Sequence, residues 1–330
     1  MHTLIVLTLM MAAVVQVPDA EIEGPIDVVL PSVDPNLLEL KSMGITIQFT
    51  PGTDANGRTK TISTPTKVLS IAEFRDETSL PGREGVKGFE GGTVIAQGSY
   101  AIENNSRIFQ ADFLAVEPAE NVVIGALTDK TPNTPFSPED IQINGVSIEM
   151  LSDSRIPAEP YQNQFGFPIE ISSMQTALNF NAASSAEGYF VKNADETRNK
   201  FYTHHFEYGG TGTLTFDAVS NPRFSVERAE VRIDPNNFRC NFRGHLAYDA
   251  SLPGTPTVDL YWYNDDPIGP ADVDVRELAG GVGYLRWRFS EKVVRRPSLP
   301  VTFKIVARAN GSVLAEAVEI VDIPRIDFAD

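Results

Sequence analysis

The sequence predicts an all-β protein of two β-sandwich domains, immunoglobulin-like or jelly-roll-like, with very little helix. Three observations predict it. Apolar residues recur at every second position through most of the chain after residue 20. The runs that do so are rich in β-branched and aromatic residues and are cut by Gly, Pro, Asn and Asp. Helix signals are few, and strands do not alternate with helices as a parallel sheet requires. At 330 residues the chain has the length of about two domains, each able to bury a core.

The first element is the apolar run LIVLTLMMAAVVQV at 4–17. It has the length of a signal-peptide core and falls short of the roughly 20 residues that cross a bilayer. Residues 1–20 are therefore read as a signal peptide, with export and no stable membrane span as the consequence. His2 stands where Lys or Arg is usual, and cleavage after Ala20 would place Pro18 at the −3 position. The competing reading is a buried first strand or helix.

Next, Asp34-Pro35 followed by NLLELK and Gly44 predicts a helix of about two turns, with Asp34 as cap and Pro35 in the first turn. From GITIQF at 44–49 onward the pattern is strand. TVIAQGSYAI (93–102), RIFQADFLAV (107–116), NVVIGAL (121–127), IQINGVSIEM (141–150), GYFV (188–191) and KFYTHHFEY (200–208) follow. Residues 193–199 read as a turn or polar loop. Prolines cluster at 132–138 and 157–168, where they interrupt ladder hydrogen bonding. The boundary is placed at the second cluster, giving domains at 21–155 and 156–330, with IQINGVSIEM completing the first sandwich.

The C-terminal hundred residues alternate most clearly. Phe238, Cys240 and Phe242 alternate with Arg239, Asn241 and Arg243; Val258, Leu260 and Trp262 with Asp259, Tyr261 and Tyr263; Leu285, Trp287 and Phe289 with Arg286 and Arg288. With 223–233, 301–307 and 312–321 this makes six or seven strands, an immunoglobulin-like unit at about 223–323. Cys240 is the only cysteine, so no intrachain disulfide forms and packing must hold the fold.

The net charge of −17 excludes a general nucleic-acid binder, because phosphate would be repelled. The charge is uneven: 10 basic and 22 acidic residues in 1–165, against 17 and 22 in 166–330. Arg239, Arg243, Arg286, Arg288, Arg295 and Arg296 form a basic series that either docks on an acidic surface of another copy or pairs across strands within the chain.

Asp265, Asp266, Asp272 and Asp274 concentrate oxygen ligands between two strands, as calcium prefers, although Pro267 and Pro270 suit an ordinary rigid turn equally. Tyr261 and Tyr263 alternate outward beside inward Trp262, a surface on which a sugar can stack, whereas Trp262 and Trp287 fit core packing. His204 and His205 are adjacent on a strand and face opposite ways, so one regular strand cannot aim both at a metal; His205 shares its face with Glu207, and His245 would have to arrive by tertiary contact. There is no GxSxG, Walker A, HExxH or strand-following GxGxxG pattern.

The expected function is that of an exported, non-enzymatic structural or adhesive protein of a cell surface or extracellular assembly, with a protein partner or self-association. Two alternatives are a virion capsid or decoration protein and a carbohydrate-binding or carbohydrate-active protein.

Overall fold

The computed structural model describes residues 20–54, 59–103, 106–118, 121–131, 137–174, 182–191, 200–233, 237–262, 265–279, 281–294 and 302–320. The signal-peptide reading concerns residues 1–20 and so lies, but for Ala20, outside the described residues, as does the turn expected at 193–199. The all-β class holds: the described elements are almost entirely strands. The chain divides into two compact units, residues 1–118 and 119–330.

In the first unit, β1 (Ala20–Pro25), β2 (Val28–Leu30), β3 (Leu38–Ser42), β4 (Ile45–Phe49), β5 (Thr61–Thr64), β6 (Lys67–Leu69), β7 (Thr93–Glu103) and β8 (Ser106–Glu117) build one mixed sheet in the order β1-β7-β8-β4-β3-β2. β8 organises it. One edge pairs antiparallel with β7, and the other takes β4 and then β5, both parallel.

The helix expected after Asp34 does not form. Leu38 and Leu40 are fully buried on one face of β3, which pairs with β2 and β4 on its two sides. Sheet burial on both edges outweighs a two-turn helix with a narrow apolar stripe. Asp34 caps a turn instead, its carboxylate accepting from the Asn36 backbone N–H at 2.8 Å. The α-helix of the described residues is the single turn Ile71–Phe74, begun by a capping box in which Ser70 and Glu73 satisfy each other's backbone N–H groups.

The second unit begins with β9 (Asn121–Asp129), β10 (Ile141–Ile143) and β11 (Val146–Met150), continues through the two-residue strands β12 (Ser152–Asp153), β13 (Ile156–Pro157) and β14 (Gln162–Asn163), and adds β15 (Ala183–Val191) and β16 (Lys200–Tyr208). β9 pairs with β10 on one side and β15 on the other, β15 pairs with β16, and β16 returns parallel to β11. With the β10–β11 hairpin this closes a ring of five strands around Leu127, Ile141, Ile143, Ile148, Phe201 and Phe206. The strands at 121–129 and 141–150 thus pair with 183–208. Their division from the preceding sheet falls after Pro118, ahead of the proline-based boundary at 155.

Eight further strands follow: β17 (Arg223–Ile233), β18 (Asn237–Asp249), β19 (Thr257–Trp262), β20 (Pro267–Pro270), β21 (Asp272–Ala279), β22 (Val282–Val294), β23 (Thr302–Ala309) and β24 (Ser312–Ile320). They form two sheets, β17-β18-β22-β21 and β20-β19-β23-β24. Lettered A, B, C, C′, D, E, F and G in chain order, these are ABED and C′CFG, the order of an immunoglobulin-type sandwich. The inward residues are those of the alternating pattern. Phe242 stacks on Phe303 of the other sheet at 4.3 Å and 7°, and Trp262 meets the edges of Phe238 and Phe242. Cys240 is buried among them as a free thiol.

Candidate functional site

A group of titratable side chains lies in the second unit, among the described residues where the five-stranded barrel meets the sandwich. Two β-bulges frame it. In the β15–β16 ladder Glu187 faces His205 while Gly188 faces Thr203, leaving His204 as the extra residue. In the β17–β18 ladder Val226 faces Gly244 while Arg228 faces Arg243, leaving Glu227 extra. A bulge turns the side chains beside it away from strict alternation.

Both bulges depend on glycine across the ladder. A Cβ on Gly188 would lie 1.9 Å from the Tyr202 carbonyl oxygen, and one on Gly244 would lie 2.0 Å from that of Ser225. No side chain fits there. The Thr203 hydroxyl occupies the first bulge, donating to the Glu187 carbonyl at 2.7 Å and approaching the His205 carbonyl at 2.5 Å.

The first bulge buries His204 and leaves His205 half-buried facing Glu159 on the segment between β13 and β14. The Glu159 backbone N–H donates to the His204 carbonyl at 2.8 Å, which brings the Glu159 carboxylate to 2.7 Å from His205 Nδ1. Gln162 donates to the same carboxylate oxygen at 2.9 Å. The hydrogen bond to Glu159 raises the His205 pKa above the ordinary histidine value, and the imidazole in turn holds Glu159 below the ordinary carboxylate value. His204 is shifted the other way, downward by burial, and its Nδ1 has no hydrogen-bond partner.

The second bulge carries Glu227 to 2.9 Å from Nδ1 of the buried His245 and 3.3 Å from Nε of Arg243. These neighbours, His245 first, hold Glu227 below the ordinary carboxylate value. Glu207 on β16 completes the group. Burial raises its pKa; Glu227 and Glu187 add to that rise, while His205 and His245 oppose it.

Aromatic packing joins the barrel side to the sandwich side. The buried Asn163 side chain accepts from the backbone N–H groups of Phe165 at 3.0 Å and Phe167 at 3.1 Å and donates to the Thr211 carbonyl at 2.8 Å, fixing a tight loop. Phe165 then lies over Tyr284 and edge-on to His245, with ring centroids at 4.5 and 5.0 Å. The Ser225 hydroxyl donates to the Phe165 carbonyl at 2.6 Å. Trp287 donates its indole N–H to the His245 carbonyl at 3.2 Å, tying the histidine backbone to the sandwich core.

The sequence reading singled out the histidines but paired them differently: His205 meets Glu159, not Glu207 on its own strand. Glu159 and Glu227 were missed. The available signal was an isolated glycine inside each of two strand runs, Gly188 and Gly244, which marks a bulge.

The acidic loop does not gather its carboxylates. Asp265 adopts φ 64° and pairs with Lys304. Asp272 and Asp274 stand on β21 opposite Arg288 and Arg286, with Asp274 3.2 Å from Arg276. Asp266 accepts the Trp262 N–H through its backbone carbonyl at 2.8 Å. Among the described residues, no group of three or more His, Cys, Asp or Glu side chains is arranged to hold a metal ion.

Tyr261 is partly exposed, with the Lys304 ammonium 5.5 Å from its ring centre; Tyr263, the second residue of the expected sugar-stacking surface, lies outside the described residues. Of the basic series, Arg243 Nε lies 3.3 Å from the Glu227 carboxylate, and Arg286 and Arg288 stand opposite Asp274 and Asp272 in the β21–β22 ladder. Arg295 and Arg296 lie outside the described residues. No helix among the described residues is long and apolar enough to cross a membrane. The chain matches no protein-family model, and a search among curated proteins finds no relative.

Proposed function

We propose that the chain is an exported, non-enzymatic structural or adhesive protein of a cell surface or extracellular assembly. The observation that carries this reading is the ABED/C′CFG sandwich at 223–320, an architecture shared by many cell-surface domains, so the support is an analogy of fold. The apolar run at 4–17 supports export on the grounds already given. Mass spectrometry of the protein recovered from fractionated source cells tests it. A mature N-terminus near residue 20 in an envelope or medium fraction is expected, and an intact Met1 in those fractions overturns the export step.

Carbohydrate binding is a second reading, favoured by the closed ring of β9, β10, β11, β16 and β15. Five-stranded Greek-key barrels host oligonucleotide and oligosaccharide sites, and the net charge of −17 weighs against the first. A glycan array on which the protein gives no signal, with or without calcium, removes it.

A further inference from the structure

The outward face of the sheet β17-β18-β22-β21 carries charge against the trend of the chain. Arg228 on β17, Arg243 on β18 and Arg288 on β22 stand directly opposite one another across three neighbouring strands, and Asp272 on β21 ends the row. Their chain neighbours Ala229, Phe242, Trp287 and Val273 pack into the core, so the row lies on the solvent side. Arg286 stands two residues before Arg288 on the same side, opposite His245 and Asp274. Two outward rows in the other direction, Arg232, Arg239 and Lys292 again stand opposite one another. Like charges directly opposite destabilise a ladder, and a chain of net charge −17 has carboxylates in surplus with which to avoid it.

The carboxylates on this side are Glu227, Glu230, Asp272 and Asp274, with Glu277 at the far end, where Gln164 of the barrel loop donates to it at 3.3 Å. Glu230 pairs with Arg228, Glu227 lies 3.3 Å from Arg243, and Asp274 is 3.2 Å from Arg276. Asp272 is then the carboxylate left beside Arg286 and Arg288. Among the described residues the exposed Arg288 guanidinium has no ion pair or hydrogen bond.

We infer that this face is a docking surface for an acidic polysaccharide whose sugars carry carboxylates. The planar guanidinium fork holds a carboxylate through two parallel hydrogen bonds. Neighbouring strands lie about 4.8 Å apart, so the row repeats its cation at an interval close to the length of one sugar ring in an extended chain. From Arg239 to His245 on β18 and from Arg286 to Lys292 on β22 every outward residue is polar, whereas a protein partner needs an apolar, charge-depleted centre. A second copy would also bring its own charge of −17 against the same charge here. β18 and β22 pair from Asn237 to Asp249 without a break, which holds the arginine stems in place before any ligand arrives. The surface belongs to the sandwich and not to the barrel of the carbohydrate reading, and it stands whether or not the chain is exported.

Calorimetric titration of the full chain with a defined oligomer of galacturonic acid tests the inference, with the methyl-esterified oligomer and polyglutamate as comparisons. Expected is binding of the acid oligomer that weakens as salt is raised, and none of the ester. Arg243→Gln/Arg288→Gln should weaken it about tenfold, and Arg288→Gln alone about threefold. Arg288→Gln should leave the thermal midpoint unchanged or raised, because it removes a like charge from beside Arg243; a merely structural arginine would lower it. Should the double variant not fold, the exposed single variant carries the comparison. Absence of binding by the wild-type chain overturns the inference, as does equal binding by folded Arg288→Gln, which would place the sugar elsewhere. Equal affinity for polyglutamate overturns it too, and so does self-association of the wild-type chain that Arg288→Gln abolishes.

Discussion

Phe165 stacks on Tyr284 with ring centroids 4.5 Å apart and planes 23° from parallel. One ring comes from a loop of the barrel side, the other from β22 of the sandwich, and both are nearly inaccessible to solvent. This stack, extended by Phe167, Ala218 and Ala247, forms an apolar cluster separate from the cores on either side. It makes the barrel and the sandwich one compact unit. Phe165→Ala is expected to destabilise that unit by roughly 3–5 kcal/mol, the usual cost of emptying a buried phenylalanine site. Urea unfolding of the full chain measures it, and Phe165→Leu should recover part of the loss.

Gly188 and Gly244 each allow a bulge that carries a member of the histidine–carboxylate group. Alanine at either position would bring its Cβ to about 2 Å from a backbone oxygen (1.9 and 2.0 Å). The backbone must move, so each substitution is expected to cost roughly 1–3 kcal/mol, in the range of overpacked sites. Chemical shifts of the histidine ring protons should move in the same variants, His204 and His205 with Gly188→Ala and His245 with Gly244→Ala.

The His205–Glu159 pair sets a pH dependence whose sign follows from linkage. His205 has a raised pKa in the folded chain, so its contribution to stability is complete below the unfolded histidine value of about 6.5 and is lost as pH rises through the folded value. An NMR titration should place His205 above His204, whose value burial lowers. Glu159→Gln should bring His205 down and remove its share of the stability difference between pH 5 and pH 8.

Cys240 lies in the sandwich core, where burial pushes its thiol pKa up to about 12. Thiolate is the reactive form, so the native chain at pH 8 should resist aromatic disulfide reagents. One thiol per chain should appear only after denaturation, and rapid labelling of the native chain would place Cys240 at the surface.

Calcium and chelators are expected to leave the thermal midpoint unchanged, because Asp265 is paired with Lys304 and Asp272 and Asp274 stand opposite arginines. A rise in the midpoint with calcium that Asp272→Asn/Asp274→Asn abolishes would establish a calcium site in the 265–274 loop.

Much of the sandwich was legible because its central strands β18 and β22 pair from end to end without a bulge. Phe238, Cys240 and Phe242, or Leu285, Trp287 and Phe289, alternate without interruption, and all six are buried. Leu38 and Leu40 were misread because Asp34-Pro35 is a helix start by local rules, while their burial depends on β2 and β4 lying on either side. The histidine site failed at the step where strict alternation was assumed. His204 is the added residue of a bulge, and Glu159 reaches His205 from 46 positions away through a backbone bond to the His204 carbonyl.

The sequence by itself determined the all-β class, the inward residues of the C-terminal strands and the surplus of acidic charge, since these follow from side-chain period and composition. Tertiary structure alone decided which strands are neighbours: that β16 returns to β11 and closes a ring, and that Glu159 and Glu227 reach His205 and His245. Strand pairing is made through backbone groups that every residue shares. Two strands of equal apolar pattern are interchangeable in the sequence until chain connectivity and packing choose between them.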